Sequence, residues 1–223
     1  MTTKPYAPQF FVTGTDTGIG KTVLSALLCA ALGASYWKPI QTGVDEDSDS
    51  VTVRRLAGSR DDQILPEAYR FGPPVSPHLA ARWAHEPIDL ARIMIPRELE
   101  GRALIVEGAG GVLVPINDRQ FMLNLMRHLD LPVILAARSS LGTINHSLLS
   151  LAALRAGGIE IAGAVMIGEP NADNREAIAQ YGRVRVVGEI PRLPELDRAA
   201  LLNAFSKHFD HAFFGIAAQG QTA

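Results

Sequence analysis

Three scarcities narrow the field before any motif is considered: cysteine, net charge and long apolar runs. Cys29 is the one cysteine, so neither an intrachain disulfide nor a thiolate metal cluster can form; this fits a reducing compartment, with Cys29 acting as a small buried hydrophobe. Lys and Arg number 21 against 23 Asp and Glu, a formal net charge of −2. That balance gives no electrostatic ground for nucleic acid or an anionic membrane as the main partner. No apolar run approaches the roughly 20 residues of a membrane span, and Met1 to Gln9 carry no apolar signal segment. The expectation is a cytoplasmic protein with no nucleic-acid or membrane partner. His78 and His146 lack companions at metal-ligand spacing, which disfavours a zinc site, and no nucleophile-elbow pattern is found.

What the chain does have is apolar residues, 47% of 223, enough for one sizeable core. A single α/β domain spanning residues 1–223 is expected, with 1–8 and about 212–223 poorly ordered. The strands predicted from short apolar runs are Gln9–Thr13, Ser35–Pro39, Ala103–Glu107, Val133–Ala137, Ile161–Ile167 and Arg185–Glu189. Several are apolar almost throughout, as in strands covered on both faces. Helices are expected over Ile19–Leu32, Asp49–Ala57, Pro77–Ala84, Phe121–His128, Thr143–Ala156 and Asn174–Gln180. The alternation implies a doubly wound, mostly parallel sheet with helices on both faces.

The strongest motif is Gly14-Thr15-Asp16-Thr17-Gly18-Ile19-Gly20-Lys21-Thr22, placed between an apolar run and a good helix former. Strand, glycine-rich turn and helix is the context that a phosphate-cradling loop requires, and it separates this stretch from a chance Gly-Lys-Thr in a tight turn. Its glycines let backbone N–H groups face an anion at a helix N-terminus. Lys21 would reach the outer phosphates, and the Thr22 hydroxyl would ligate magnesium. Five residues, Thr15 to Ile19, separate Gly14 from Gly20, where the usual spacing has four.

Ligands of such sheets bind at the carboxyl ends of strands. Lys38-Pro39-Ile40-Gln41-Thr42-Gly43, Glu107-Gly108-Ala109-Gly110-Gly111 and Arg138-Ser139-Ser140-Leu141-Gly142-Thr143 all follow predicted strands there. Glu107 reads as a magnesium ligand, or as a carboxylate capping the amides of its own turn. Asp49 reads as a helix N-cap or as a second metal ligand, and Asp45, Glu46 and Asp47 as a solvated loop. Lys38 is either a surface lysine at a strand end or a second cation for a phosphoryl group and its acceptor. Thr42 would donate to the same anion or cap the turn. Ser76, before Pro77, is a helix N-cap whose helix end would also suit a carboxylate.

Taken together, these segments resemble the ATP-dependent dethiobiotin synthetase family. The matching pieces are Val12 to Thr17 with Gly20-Lys21-Thr22, Lys38-Pro39 with Thr42-Gly43, Ser76-Pro77-His78, and Val106 to Gly111. Leu141 to His146 and Gly188-Glu189-Ile190-Pro191 continue the match, in order, over residues 10–193, and the longer loop spacing is itself characteristic of the family. The resemblance implies a fold of P-loop NTPase type and a homodimer using ATP or another nucleoside triphosphate, Mg2+, 7,8-diaminopelargonic acid and carbon dioxide. It implies Lys21 and Lys38 as catalytic residues, and Thr22, Asp49 and Glu107 as metal ligands. Thr15, Asp16, Thr42, Ser76, Gly110, Gly142, Thr143 and Asn145 would bind substrate, the last three holding its carboxylate across the dimer interface. Thr17, Gly18, Ile19, Gly20, Lys21, Thr22, Glu107, Gly168, Pro191 and Leu193 would bind nucleotide.

One departure stands out. Family members often carry an adenine-reading Asn followed by Asp at the end of the strand equivalent to Ile161–Ile167, where this chain has Ile167-Gly168. Weak discrimination among nucleotide bases is therefore expected, with backbone groups of 188–193 left as base contacts. The alternative function on the same fold is a nucleotide-switch ATPase of the partitioning or maturation type. Such proteins commonly carry a further lysine near the position of Thr15 or Asp16, absent here. An amide-forming relative of cobalamin synthesis would need a glutaminase domain, for which the chain has no room.

Overall fold

The computed structural model describes residues 7–44, 48–99 and 101–216. The first half forms β1 (Gln9–Gly14), α1 (Lys21–Leu32), β2 (Ser35–Trp37), β3 (Ile40–Thr42), α2 (Asp49–Ala57), β4 (Tyr69–Phe71) and α3 (Pro77–Trp83). The second half forms β5 (Leu104–Gly111), α4 (Met122–Leu129), β6 (Val133–Arg138), α5 (Thr143–Ala156), β7 (Ile161–Ile167), α6 (Ala172–Gly182), β8 (Val186–Ile190) and α7 (Arg198–His208). Six strands make one parallel sheet in the order β2-β5-β1-β6-β7-β8, while β3 and β4 pair separately. This is the doubly wound architecture expected from the alternation of elements.

Strand periodicity explains how both faces are filled. In β1, Phe10 and Val12 join the core under α1, α2 and α7, whereas Phe11 joins the opposite core with Leu125 and Met126 of α4. Leu135, Ala164 and Met166 meet Leu151 of α5 and Ile178 of α6 in a third cluster. Because each strand is covered twice, its sequence is apolar without alternation. Among the described residues no helix is long and apolar enough to cross a membrane.

Several boundaries depart from the sequence reading, each for an identifiable reason. The strand expected over Ser35–Pro39 stops at Trp37, because Pro39 has no N–H to give a ladder. The chain resumes as β3, and Pro39 O accepts from Ala68 and Tyr69 N at 2.9 and 3.0 Å. β5 continues through Gly108–Gly111 where a turn was expected. A Cβ on Gly111 would lie 3.2 Å from Gly14 O, so glycine lets β1 and β5 stay paired that far. Helix α7 was not predicted, although Asp197 caps it through Ala200 N and Leu201, Ala204 and Phe205 bury one face.

Described residues near both ends of the chain make specific contacts. Pro8 O accepts from Leu104 N at 3.1 Å. Phe214, 3% exposed, packs with Phe10, Phe205 and Phe213, so the chain stays packed beyond residue 212. The acidic stretch Asp45 to Asp47 lies outside the described residues.

Candidate active site

The carboxyl ends of β1, β2, β5 and β6 meet at one edge of the sheet. The loop between β1 and α1 turns through Gly18 and Gly20, at φ of +68° and +99°. No side chain caps the first amides of α1, so its N-terminal N–H groups and partial positive charge face the loop. Lys21 is 7% exposed and curls back over the loop, its Nζ donating to Asp16 O at 3.0 Å. Burial lowers its pKa; the like charge of Lys38 adds to this, while Glu107 partly offsets it.

Next to this loop, four side chains interlock. Thr22 Oγ1 donates toward Asp49 Oδ1 at 2.6 Å and lies 3.0 Å from Glu107 Oε1. Lys38 Nζ pairs with Asp49 and, at 3.2 Å, with Glu107 Oε1. Lys38 is 6% exposed and Glu107 1%, so theirs is a buried pair, while the Asp49 side chain, 28% exposed, reaches the cleft. Burial opposes the charge on Lys38, but the Glu107 and Asp49 carboxylates outweigh it and hold its pKa above the ordinary lysine value. Burial likewise opposes the charge on Asp49, and the Lys38 charge with bonds from Lys38 and Thr22 brings its pKa below the ordinary value.

Local structure removes the capping alternative for both Asp49 and Glu107. Ser48, not Asp49, caps α2, accepting from Val51 N, and this leaves the Asp49 carboxylate free to turn to Lys38 and Thr22. Gln41 Oε1 accepts from Asp49 N at 3.3 Å and steadies that turn. Glu107 is mid-strand, and its oxygens are taken by Thr22, Lys38 and Tyr36, not by the amides of a turn. A hydroxyl beside two carboxylates is a set of hard oxygen donors and fits Mg2+.

Above these groups lies a cleft of about 590 Å3. It gathers Thr17, Gly18, Gly20, Lys21 and Thr22 of the phosphate loop with Lys38, Thr42, Asp49, Ser76, Glu107 and Gly110. Ser76 does not cap α3 with its side chain as expected; its Oγ meets His78 Nδ1 at 3.0 Å. Pro74, Val75 and Val114 add an apolar wall that the sequence reading passed over. Thr15, Asp16, Gly142, Thr143 and Asn145 do not line this cleft. Thr143 is 4% exposed with Oγ1 near Ser147 Oγ at 3.4 Å, while Gly142 and Asn145 are exposed.

A second, more open cavity of about 380 Å3 adjoins the loop on the β6–β7 side. Gly18, Ile19, Ile167 and Gly168 line it, together with Arg138, Ser139, Asn171 and the Arg192–Glu169 pair. Gly168 has φ +125°, and a Cβ there would come 2.6 Å from Ser139 Oγ. The backbone therefore holds glycine at 168, and Ile167 beside it supplies no side-chain amide. Pro191 and Leu193 lie outside both cavities, and Leu193 packs against the core.

Arg138 and Tyr36 were absent from the predicted site. Arg138, ending β6, donates to Asp16 Oδ2 at 3.1 Å and Thr17 O at 3.3 Å, tying the phosphate loop to the neighbouring strand. Tyr36, fully buried on β2, donates to Glu107 Oε2 at 3.0 Å. Burial and then the Glu107 charge hold its phenol well above the ordinary tyrosine pKa.

Comparison with known proteins places the fold and site in context. A family model described as an AAA domain matches residues 8–200. The ATP-dependent dethiobiotin synthetase BioD of Agrobacterium fabrum is 52% identical over 206 residues, covering 92% of this chain and 96% of the relative. The protein of that name from Bradyrhizobium sp. is 50% identical, covering 93% and 99%. Among solved structures, a ParA family ATPase from Chlorobium tepidum aligns with a TM-score of 0.54 at 12% identity, covering 96% of this chain and 94% of that one. The MinC:MinD cell division complex of Aquifex aeolicus gives 0.55 at 13%, covering 90% and 88%. Those structural likenesses show the P-loop NTPase fold alone, whereas half the residues are shared with the synthetases along nearly their whole length: the chain belongs to the ATP-dependent dethiobiotin synthetase family.

Proposed function

We propose that the protein is a single-domain ligase that closes the cyclic urea of dethiobiotin from 7,8-diaminopelargonic acid, carbon dioxide and ATP or another nucleoside triphosphate. The observation that carries this reading is the pair of buried lysines, Lys21 and Lys38, beside a hydroxyl and two carboxylates at the phosphate loop. One amine of the diamine adds to carbon dioxide and loses a proton, giving a carbamate. A carbamate oxygen then attacks the γ-phosphorus, and the nucleoside diphosphate leaves. Finally the second amine attacks the carbamoyl carbon, the C–O bond to phosphate breaks, and phosphate and a proton depart.

The difficult step brings one anion onto another, so catalysis is mainly positioning and charge stabilisation. Lys21 leaves Asp16 O for the outer phosphates, which restores the charge that burial disfavours. Lys38, at the head of the cleft, stabilises the carbamate and the transferring phosphoryl group. Thr22, Asp49 and Glu107 would hold Mg2+, which supplies charge neutralisation on the phosphate oxygens. Thr42, Ser76 and Gly110 line the cleft where the diamine would lie. The Gly142-Thr143 helix start would take the substrate carboxylate of a second subunit. Leu141 and Leu149, 100% and 63% exposed, are apolar groups that such a homodimer would cover. A cytoplasmic location accords with this metabolic role.

Nucleotide hydrolysis by the purified protein is expected to require the diamine and bicarbonate together. Phosphate release that continues at the same rate when either is omitted would refute the assignment and favour a nucleotide switch.

A further inference from the structure

Glu107 meets three donors, and they divide its carboxylate into two unlike oxygens. Oε1 faces Thr22 Oγ1 at 3.0 Å and Lys38 Nζ at 3.2 Å, on the side of the phosphate loop. Oε2 faces away from them and takes the Tyr36 hydroxyl at 3.0 Å, its one donor among the described residues. Both side chains are closed to water, Tyr36 at 0% and Glu107 at 1% exposed. They come from adjacent strands, with Tyr36 of β2 opposite Ile105 of β5, two residues before Glu107 on the same face. Phenylalanine would fill the same space in the core cluster that also holds Leu24, Val53 and Leu56, so packing alone does not call for the hydroxyl.

A buried carboxylate oxygen needs a donor, and a donor held by a strand fixes the plane of the carboxylate. We propose that Tyr36 is a positioning residue that holds Glu107 with Oε1 presented to Thr22 and Asp49, and so sets the affinity of this oxygen cluster for the divalent cation that accompanies the nucleotide. The proposal rests on the reading of Glu107 as a metal ligand. Without the phenol, the carboxylate is free to rotate or to turn Oε2 toward Lys38, and the oxygen cluster loses its fixed geometry.

The test uses Mn2+ as probe, its free concentration read by electron paramagnetic resonance with the whole protein and a non-hydrolysable ATP analogue at saturation. Tyr36→Phe is expected to bind Mn2+ about tenfold more weakly, with kcat reduced and KM for the diamine unchanged. In a Glu107→Gln background, adding Tyr36→Phe is expected to change Mn2+ affinity by less than about twofold, since the phenol acts through the carboxylate. Wild-type affinity in Tyr36→Phe, with weakened binding in Glu107→Gln, would overturn the proposal and leave the metal reading standing. Wild-type affinity in Glu107→Gln would remove the metal reading and the proposal with it. Should Tyr36→Phe fail to fold, recovery of folding in the double variant would support action through Glu107. A double variant equally unfolded would assign the phenol to the core and overturn it.

Discussion

At the β1–β2–β5 end of the ligand edge, Lys21, Lys38 and Glu107 are 7%, 6% and 1% exposed, with Lys38 paired to Glu107 and Lys21 bound to Asp16 O. At the β6–β7–β8 end, the Arg192–Glu169 pair is 81% and 71% exposed, and neither Ile167 nor Gly168 carries a side-chain hydrogen-bonding group. At the first end the charges of Lys38 and Glu107 are already desolvated and held by partners, the arrangement that electrostatic catalysis calls for. The second is open to water. The buried, mutually bonded polar groups of this chain thus lie beside the phosphate loop, while those of the β6–β7–β8 end face water.

Breaking the rigid end has the largest expected effect. Lys38→Ala is expected to lower kcat by about a thousandfold, the loss typical of a donor aimed at developing negative charge. Binding of a fluorescent nucleotide analogue should survive, because Lys21 and the loop amides remain; retained turnover would reject the catalytic role of Lys38. The same change leaves Asp49 and Glu107 uncompensated, so a fall in stability of about 3–5 kcal/mol accompanies it, measurable by denaturant unfolding. The open end gives the smaller effect. Values of kcat/KM for ATP, CTP and GTP are expected to agree within about tenfold, and an ATP preference of about a hundredfold would mean that the base is read after all.

The sequence revealed this contrast unevenly. The phosphate loop was legible because its residues are contiguous and each has a local reason: glycine for the turn, Lys21 and Thr22 at the helix start. The doubly wound sheet was legible because buried parallel strands are apolar throughout. Asp49 stayed ambiguous, since its freedom depends on Ser48 taking the cap, a choice that either residue type would serve. Tyr36 and Arg138 were hidden for another reason. Their partners lie 71 and 122 residues away, and only the sheet order brings β2 against β5 and β6 against β1. Helix α7 did carry a local signal, Asp197 followed by Leu201 and Phe205, which the pattern reading overlooked.

The central claim is that the two buried lysines serve the activation of a carbamate, not hydrolysis as a switch. Incubation with the diamine, ATP and carbon-13 bicarbonate, followed by mass spectrometry of the product and a parallel phosphate assay, measures it directly. The account predicts a cyclic urea carrying one labelled carbon for each phosphate released. Phosphate release without labelled urea would contradict it.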